Sequence, residues 1–130
     1  MVRTVLIVED SPQMAANLEI ALSTLETMEV RVAGSGAEAL RWLEAQPDGG
    51  VAAVVTDLDM PRVDGFELIE RLRSNLRFAS TPIIVSSGST DPDSPVRAMR
   101  LGADAYFTKP YSPGELRKKL ETLLKEKEHA

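Results

Sequence analysis

Apolar positions along this chain come in two alternating patterns: short unbroken runs that end in polar residues, and longer stretches in which apolar residues recur every three or four positions. Val5 to Val8 is an unbroken run closed by Glu9-Asp10, which predicts a strand buried on both faces with two carboxylates at its carboxyl end. Ser11 is placed to cap a helix, Pro12 fits its first turn, and Met14, Leu18, Leu22 and Leu25 form one stripe. Val30 to Ala33 alternates apolar with charged residues and predicts an edge strand. After a turn at Gly34 to Gly36, a second helix is expected over 37–45, with Ala39, Leu40, Trp42 and Leu43 inward, ended by Pro47-Asp48-Gly49-Gly50. Val51 opens the next apolar run, which reaches Asp57 before Met60-Pro61 rules out further strand.

The second half repeats the alternation. A helix is expected over 66–73, with Phe66, Ile69 and Leu72 on one side, and Ile83-Ile84-Val85 is a strand ending in Ser86-Ser87-Gly88. A stiff turn at Asp91 to Ser94 leads to a short helix predicted over 95–101, with Gly102 at its end. Ala105 to Thr108 is the fifth strand, closed by Lys109-Pro110. Ser112 and Glu115 form a capping box around Pro113, ahead of a helix with Leu116, Leu120, Leu123 and Leu124 inward and a polar tail over 125–130. Five strand-helix units without repeat or linker imply one α/β domain over 1–130. Its parallel sheet has helices on both faces, in three layers. Placing the alternating strand at an edge favours the order 2-1-3-4-5, the flavodoxin-like arrangement.

Composition narrows the chemistry. At 130 residues, with 43% hydrophobic and 27% charged residues, the chain suits a single ordered core rather than disorder. A formal charge of −5 argues against nucleic acid as a direct partner. The absence of cysteine removes disulfides, thiolate metal sites and thiol nucleophiles, and fits a reducing cytoplasmic setting. The only histidine, His129, stands next to the last residue, so histidine triads and histidine-ligated metals are excluded. No apolar run is long enough for a secretory core or a membrane span.

In a parallel sheet all carboxyl ends share one edge, so Glu9, Asp10, Asp57, Ser87 and Lys109 are expected to converge there. Each has a plainer role in isolation: Asp57 or Ser87 as a turn residue, Glu9-Asp10 as an acidic helix start, Lys109 as a solvated lysine. Clustered carboxylates repel, and the available counter-charges are Lys109 and a divalent cation with oxygen ligands. Mg²⁺ suits a site of one or two carboxylates that leaves room for phosphate oxygens. Such a pocket suits phosphoryl transfer, with a carboxylate nucleophile and Asp57 the candidate.

Together these residues identify a resemblance to response-regulator receiver domains of the chemotaxis-regulator (CheY-like) type over essentially the whole chain. It is carried by Glu9-Asp10 after VLIV, Asp57 in DLDMPRVDG, Ser87 after PIIV, and Lys109-Pro110 after GADAYFT. The resemblance implies two-component signalling in which Asp57 accepts a phosphoryl group from the phosphohistidine of a histidine kinase or phosphotransfer protein. It implies Mg²⁺ held by Glu9, Asp10, Asp57 and the backbone carbonyl of Asp59, with Ser87 and Lys109 contacting the phosphoryl oxygens. It further implies Ser87 and Tyr106 as the switch pair, a cis bond before Pro110, and output to a downstream protein through the fourth helix, fifth strand and fifth helix. A phosphorylation-dependent homodimer and a cytoplasmic setting also belong to what is implied, and the chain would be a phospho-acceptor rather than a turnover enzyme. Tyr106 also reads simply as a half-buried strand aromatic. Ser87 stands where threonine is commoner in the family, and Gly88 where alanine is. Two other readings fit parts of the pattern: a receiver-fold interaction module that is never phosphorylated, and a haloacid-dehalogenase-type phosphatase. Met60-Pro61 counts against the latter.

Overall fold

The structure, a computed structural model, describes residues 2–128. Five strands form one sheet: β1 (Arg3–Val8), β2 (Met28–Ala33), β3 (Val51–Asp57), β4 (Ile83–Ser87) and β5 (Ala105–Thr108). Their order is β2-β1-β3-β4-β5 and every pairing is parallel. The helices are α1 (Pro12–Leu22), α2 (Gly36–Glu44), α3 (Gly65–Ser74), α4 (Asp93–Leu101) and α5 (Pro113–Glu128). Successive β1 residues serve opposite faces, as the pleat requires. Val5 and Ile7 pack with Leu18, Leu22, Leu116 and Leu120 of α1 and α5, while Leu6 and Val8 join the core under α2, α3 and α4. All seven β3 residues are buried, and β2 alternates half-buried with exposed positions as an edge strand does.

Most element ends shift by a residue or two from the sequence expectation, and three differences have a clear local reason. α4 starts at Asp93 rather than at Pro95, because the first amides of a helix have no intrahelical acceptor and a proline in that turn forfeits nothing. α5 continues to Glu128 where a polar tail was expected from Lys125: Lys and Glu are good helix formers, and Lys125 and Lys127 favour its negative end. His129 and Ala130, the end of that expected tail, lie outside the described residues. α1 stops at Leu22, so Leu25 packs on the core from the turn beyond it, and Ala15 is the buried residue of the first turns. The Ser112 hydroxyl accepts from the Glu115 amide at 3.3 Å at the start of α5.

The bend that carries the chain from β3 into α3 depends on Gly65. A Cβ there would lie 2.3 Å from the Asp57 carbonyl oxygen and 2.7 Å from the Leu58 Cα, both backbone atoms that cannot swing aside. Gly65→Ala is therefore expected to destabilise the fold by about 2–3 kcal/mol, the cost of overpacking an unyielding site. The urea midpoint measures it, and an unchanged midpoint would mean the bend relaxes freely.

Candidate acidic centre at the strand ends

Four strands deliver the candidate side chains to one edge. Asp57 is the last residue of β3, paired in register with Ser86 of β4. Glu9 follows β1, its amide donating to the Ala33 carbonyl at 3.0 Å. Ser87 ends β4, and the Lys109 amide donates to its carbonyl at 2.7 Å, which ties the residue after β5 to the end of β4. The Lys109–Pro110 peptide bond is cis.

Side-chain geometry makes these neighbours a charged cluster. Lys109 Nζ donates to Glu9 Oε1 at 2.9 Å and to Asp57 Oδ2 at 3.3 Å. Glu9, Asp10 and Asp57 each offer a carboxylate oxygen within 4.8 Å of the others. Glu9 and Asp57 are buried, at 3% and 5% exposure, while Asp10 opens to solvent. With three carboxylates against one ammonium the cluster carries a formal charge of −2, and its Asp10 side faces solvent. Burial pushes the Glu9 carboxyl above its usual range against the hydrogen bonds from Lys109 and the Ser11 amide, and the Asp57 charge adds to the rise. Burial works against the Lys109 ammonium, but its bond to Glu9 and the Asp57 and Glu9 charges outweigh that and raise it above the usual lysine value. Lys109 is therefore a fixed positive charge at neutral pH.

The surrounding groups set orientation. The Asp57 Oδ1 accepts from the Asp59 amide at 3.2 Å, and the Asp59 carboxylate accepts from the Ser87 hydroxyl at 3.4 Å. Tyr106 lies in β5 opposite Val85, half-buried against the core beneath α2, α3 and α4. Its hydroxyl is buried without a hydrogen-bond partner.

Sequence reasoning passed over two residues here. Tyr111, just after Pro110, tilts against Phe107 with ring centroids 6.0 Å apart. Burial raises its phenol, with Ser86 and Lys109 opposing, so it borders the charged cluster. The aromatic directly after Lys-Pro was the available signal. Arg73 of α3 turns inward to the carbonyls of Gly102, Phe78 and Thr81 and to Asp104, and burial lowers its guanidinium value. Nothing in its spacing distinguishes it from an exposed helix arginine.

Comparison with known proteins assigns the family. Residues 5–121 match the family model described as response regulator receiver domain. The chain belongs to that family. As a receiver it is a component of two-component signal transduction. It is similar to chemotaxis protein CheY1 of Helicobacter pylori, 34% identical over 119 residues that cover 92% of this chain and 94% of that one. Transcriptional regulatory protein GltR of Pseudomonas aeruginosa is also 34% identical, over 95% of this chain but only 49% of GltR. Among solved structures, the receiver superposes on chemotaxis response regulator CheY4 of Vibrio cholerae with a TM-score of 0.82 at 27% identity, covering 95% of this chain and 99% of that one. Receiver membership sets aside the phosphatase reading. Among the described residues, no helix is long and apolar enough to cross a membrane.

Proposed function

We propose that this receiver takes a phosphoryl group onto Asp57 from the phosphohistidine of a histidine kinase or phosphotransfer protein, and that the acyl phosphate switches its output surface. The observation that carries the proposal is the Asp57 carboxylate itself. It is buried at the end of β3, 3.3 Å from a lysine ammonium and grouped with two further carboxylates. An Asp57 oxygen forms the new P–O bond, the P–N bond to the donor imidazole breaks, and the imidazole nitrogen regains a proton from solvent.

The donor set fits Mg²⁺: hard oxygen ligands, an excess of negative charge, and an open side for water and phosphoryl oxygens. Glu9, Asp10 and Asp57, with the Asp59 carbonyl, would hold it. When bound, the ion supplies positive charge against the phosphoryl oxygens. Lys109 supplies the opposing positive charge, already oriented by Glu9. Ser87 supplies a hydroxyl donor once it leaves Asp59. Its movement makes room at β5, and Tyr106, whose hydroxyl has no partner to hold it, is the aromatic that responds. The surface of α4, β5 and α5 then meets a downstream protein or a second phosphorylated copy. The unit at work is a single receiver domain spanning 1–130, acting in the cytoplasm, and it is a self-phosphorylating acceptor rather than a turnover enzyme.

Acetyl phosphate with and without Mg²⁺ tests this. The expected result is a hydroxylamine-labile mass increase of one phosphoryl group, dependent on Mg²⁺ and confined to the peptide containing Asp57. No label at all would favour an interaction module that works unphosphorylated, and label of equal extent without Mg²⁺ would overturn the Mg²⁺ assignment.

A further inference from the structure

We propose that Ser89 and Ser94 are positioning residues that couple Ser87 to the first turn of α4, and that α4 turns about a C-terminal end pinned by Arg73. This rests on the reading of Asp57 as the phosphoryl acceptor and Ser87 as a group that reaches for the phosphoryl oxygens.

The link begins at Ser87, which is fully buried. Its hydroxyl donates to Asp59 and at the same time accepts from the Ser89 amide at 3.0 Å. A hydroxyl has one proton and two lone pairs. Ser87 can therefore exchange Asp59 for a phosphoryl oxygen while still accepting from Ser89, so Ser89 follows it. The Ser89 hydroxyl lies 3.1 Å from the Ser94 hydroxyl and accepts from the Asp91 amide at 3.2 Å. Ser94, at 8% exposure, sits in the first turn of α4. Asp91 in turn accepts from the Asp93 amide through its carboxylate at 2.9 Å and from the Ser94 amide through its carbonyl at 3.1 Å. With Pro92 and Pro95 restricting their backbone, residues 89–95 form one braced unit. Its connection to β4 is Gly88, around which a Cβ would meet nothing within 4 Å.

The other end of α4 is held differently. Gly102 closes the helix in a left-handed conformation, φ 118°, and its carbonyl accepts from Arg73 Nε at 3.0 Å and Nη2 at 2.8 Å. The same guanidinium donates to the Phe78 and Thr81 carbonyls at 2.9 and 2.8 Å, and its Nη2 to Asp104 Oδ2 at 3.1 Å. Asp104 Oδ2 also accepts from the Ile83 amide at 2.8 Å, at the start of β4. Charge-assisted bonds on three sides fix that end to the sheet and to α3. At the opposite end, among the described residues, the first turn is bonded only to the loop itself, through the Asp91 bonds to the Asp93 and Ser94 amides and the Ser89–Ser94 hydroxyl pair. That pair is its side-chain link back toward Ser87. Motion started at Ser87 is therefore largest in the first turn of α4 and smallest at Gly102.

The test follows the phosphorylation-dependent change in amide hydrogen exchange along 93–101, with the phosphoryl content of each sample read by intact mass. The full chain is treated with acetyl phosphate and Mg²⁺. Ser94→Ala is expected to label like the wild type, since Ser94 touches none of the charged cluster. Its exchange response in α4 should fall by a factor of about 2–10, the range a single neutral hydrogen bond can shift an equilibrium. Ser94→Thr should restore the response. Ser89→Ala should match Ser94→Ala, and the double variant should add nothing further. A full response in labelled Ser94→Ala overturns the coupling, and a response concentrated near Leu101 overturns the pinned end. Failure of the wild type to label overturns the acceptor reading and this inference with it.

Discussion

Asp57→Asn is expected to reduce Mg²⁺-dependent labelling by acetyl phosphate to the level of a Mg²⁺-free control while leaving the fold intact. An amide has no nucleophilic oxygen of carboxylate strength, so the covalent step is lost at its origin. The same substitution is mild structurally. Asparagine keeps the side-chain oxygen that accepts from the Asp59 amide, and Lys109 retains Glu9 at 2.9 Å. Losing the charged contact between Lys109 and Asp57 removes a favourable pairing, but losing a negative charge beside Glu9 and Asp10 relieves repulsion. The two effects oppose, and the urea midpoint in EDTA should move by less than about 1 kcal/mol. Stabilisation by added Mg²⁺ should weaken at the same time, because one of three clustered carboxylates is gone. Persistent labelling of a folded Asp57→Asn variant would place the acceptor elsewhere.

Much of this arrangement was legible because buried parallel strands cannot hide. VLIV, VAAVVTD and IIVSS are unbroken runs, and each becomes a strand with its polar end at the same edge. MEVRVA alternates, and it lies at the edge. From that topology the proximity of Glu9, Asp57 and Lys109 follows, although 100 residues separate Glu9 from Lys109. Helix ends were harder to read. Pro95 looks like a start signal, yet the turn ahead of it is already helical because those amides have no intrahelical acceptor. The Arg73 clamp left no trace in the pattern. An arginine on the polar side of an amphipathic helix has the same spacing whether it faces water or three backbone carbonyls. Ser89 and Ser94 were likewise hidden, since hydroxyls in turns are common and only the fold shows which pair meets.

Lys109→Met is expected to cost as much stability as Gly65→Ala, through charge rather than packing. In EDTA at pH 7 it should destabilise the chain by about 2–3 kcal/mol. Removing one partner of a buried ion pair costs about 3–5 kcal/mol, and the open side at Asp10 lets water screen part of that. Methionine keeps much of the stem volume, so the loss reports charge rather than packing. The pH dependence gives the sign. A raised lysine value means that Lys109 contributes fully below its ordinary 10.5 and loses that contribution as the pH rises through the folded value, so at pH 7 all of it is at stake. Glu9, also raised, favours the fold below 4.5 and loses that contribution as the pH climbs through its folded value. Without Lys109 the Glu9 carboxyl rises further. The deficit of the variant should therefore be largest near neutrality and shrink as the pH falls and Glu9 takes up its proton. Urea midpoints of both proteins across that acid range measure it, and a deficit independent of pH would assign Lys109 a packing role instead. Mg²⁺ should then stabilise the variant more than the wild type, because an added cation does most where the built-in one has been removed.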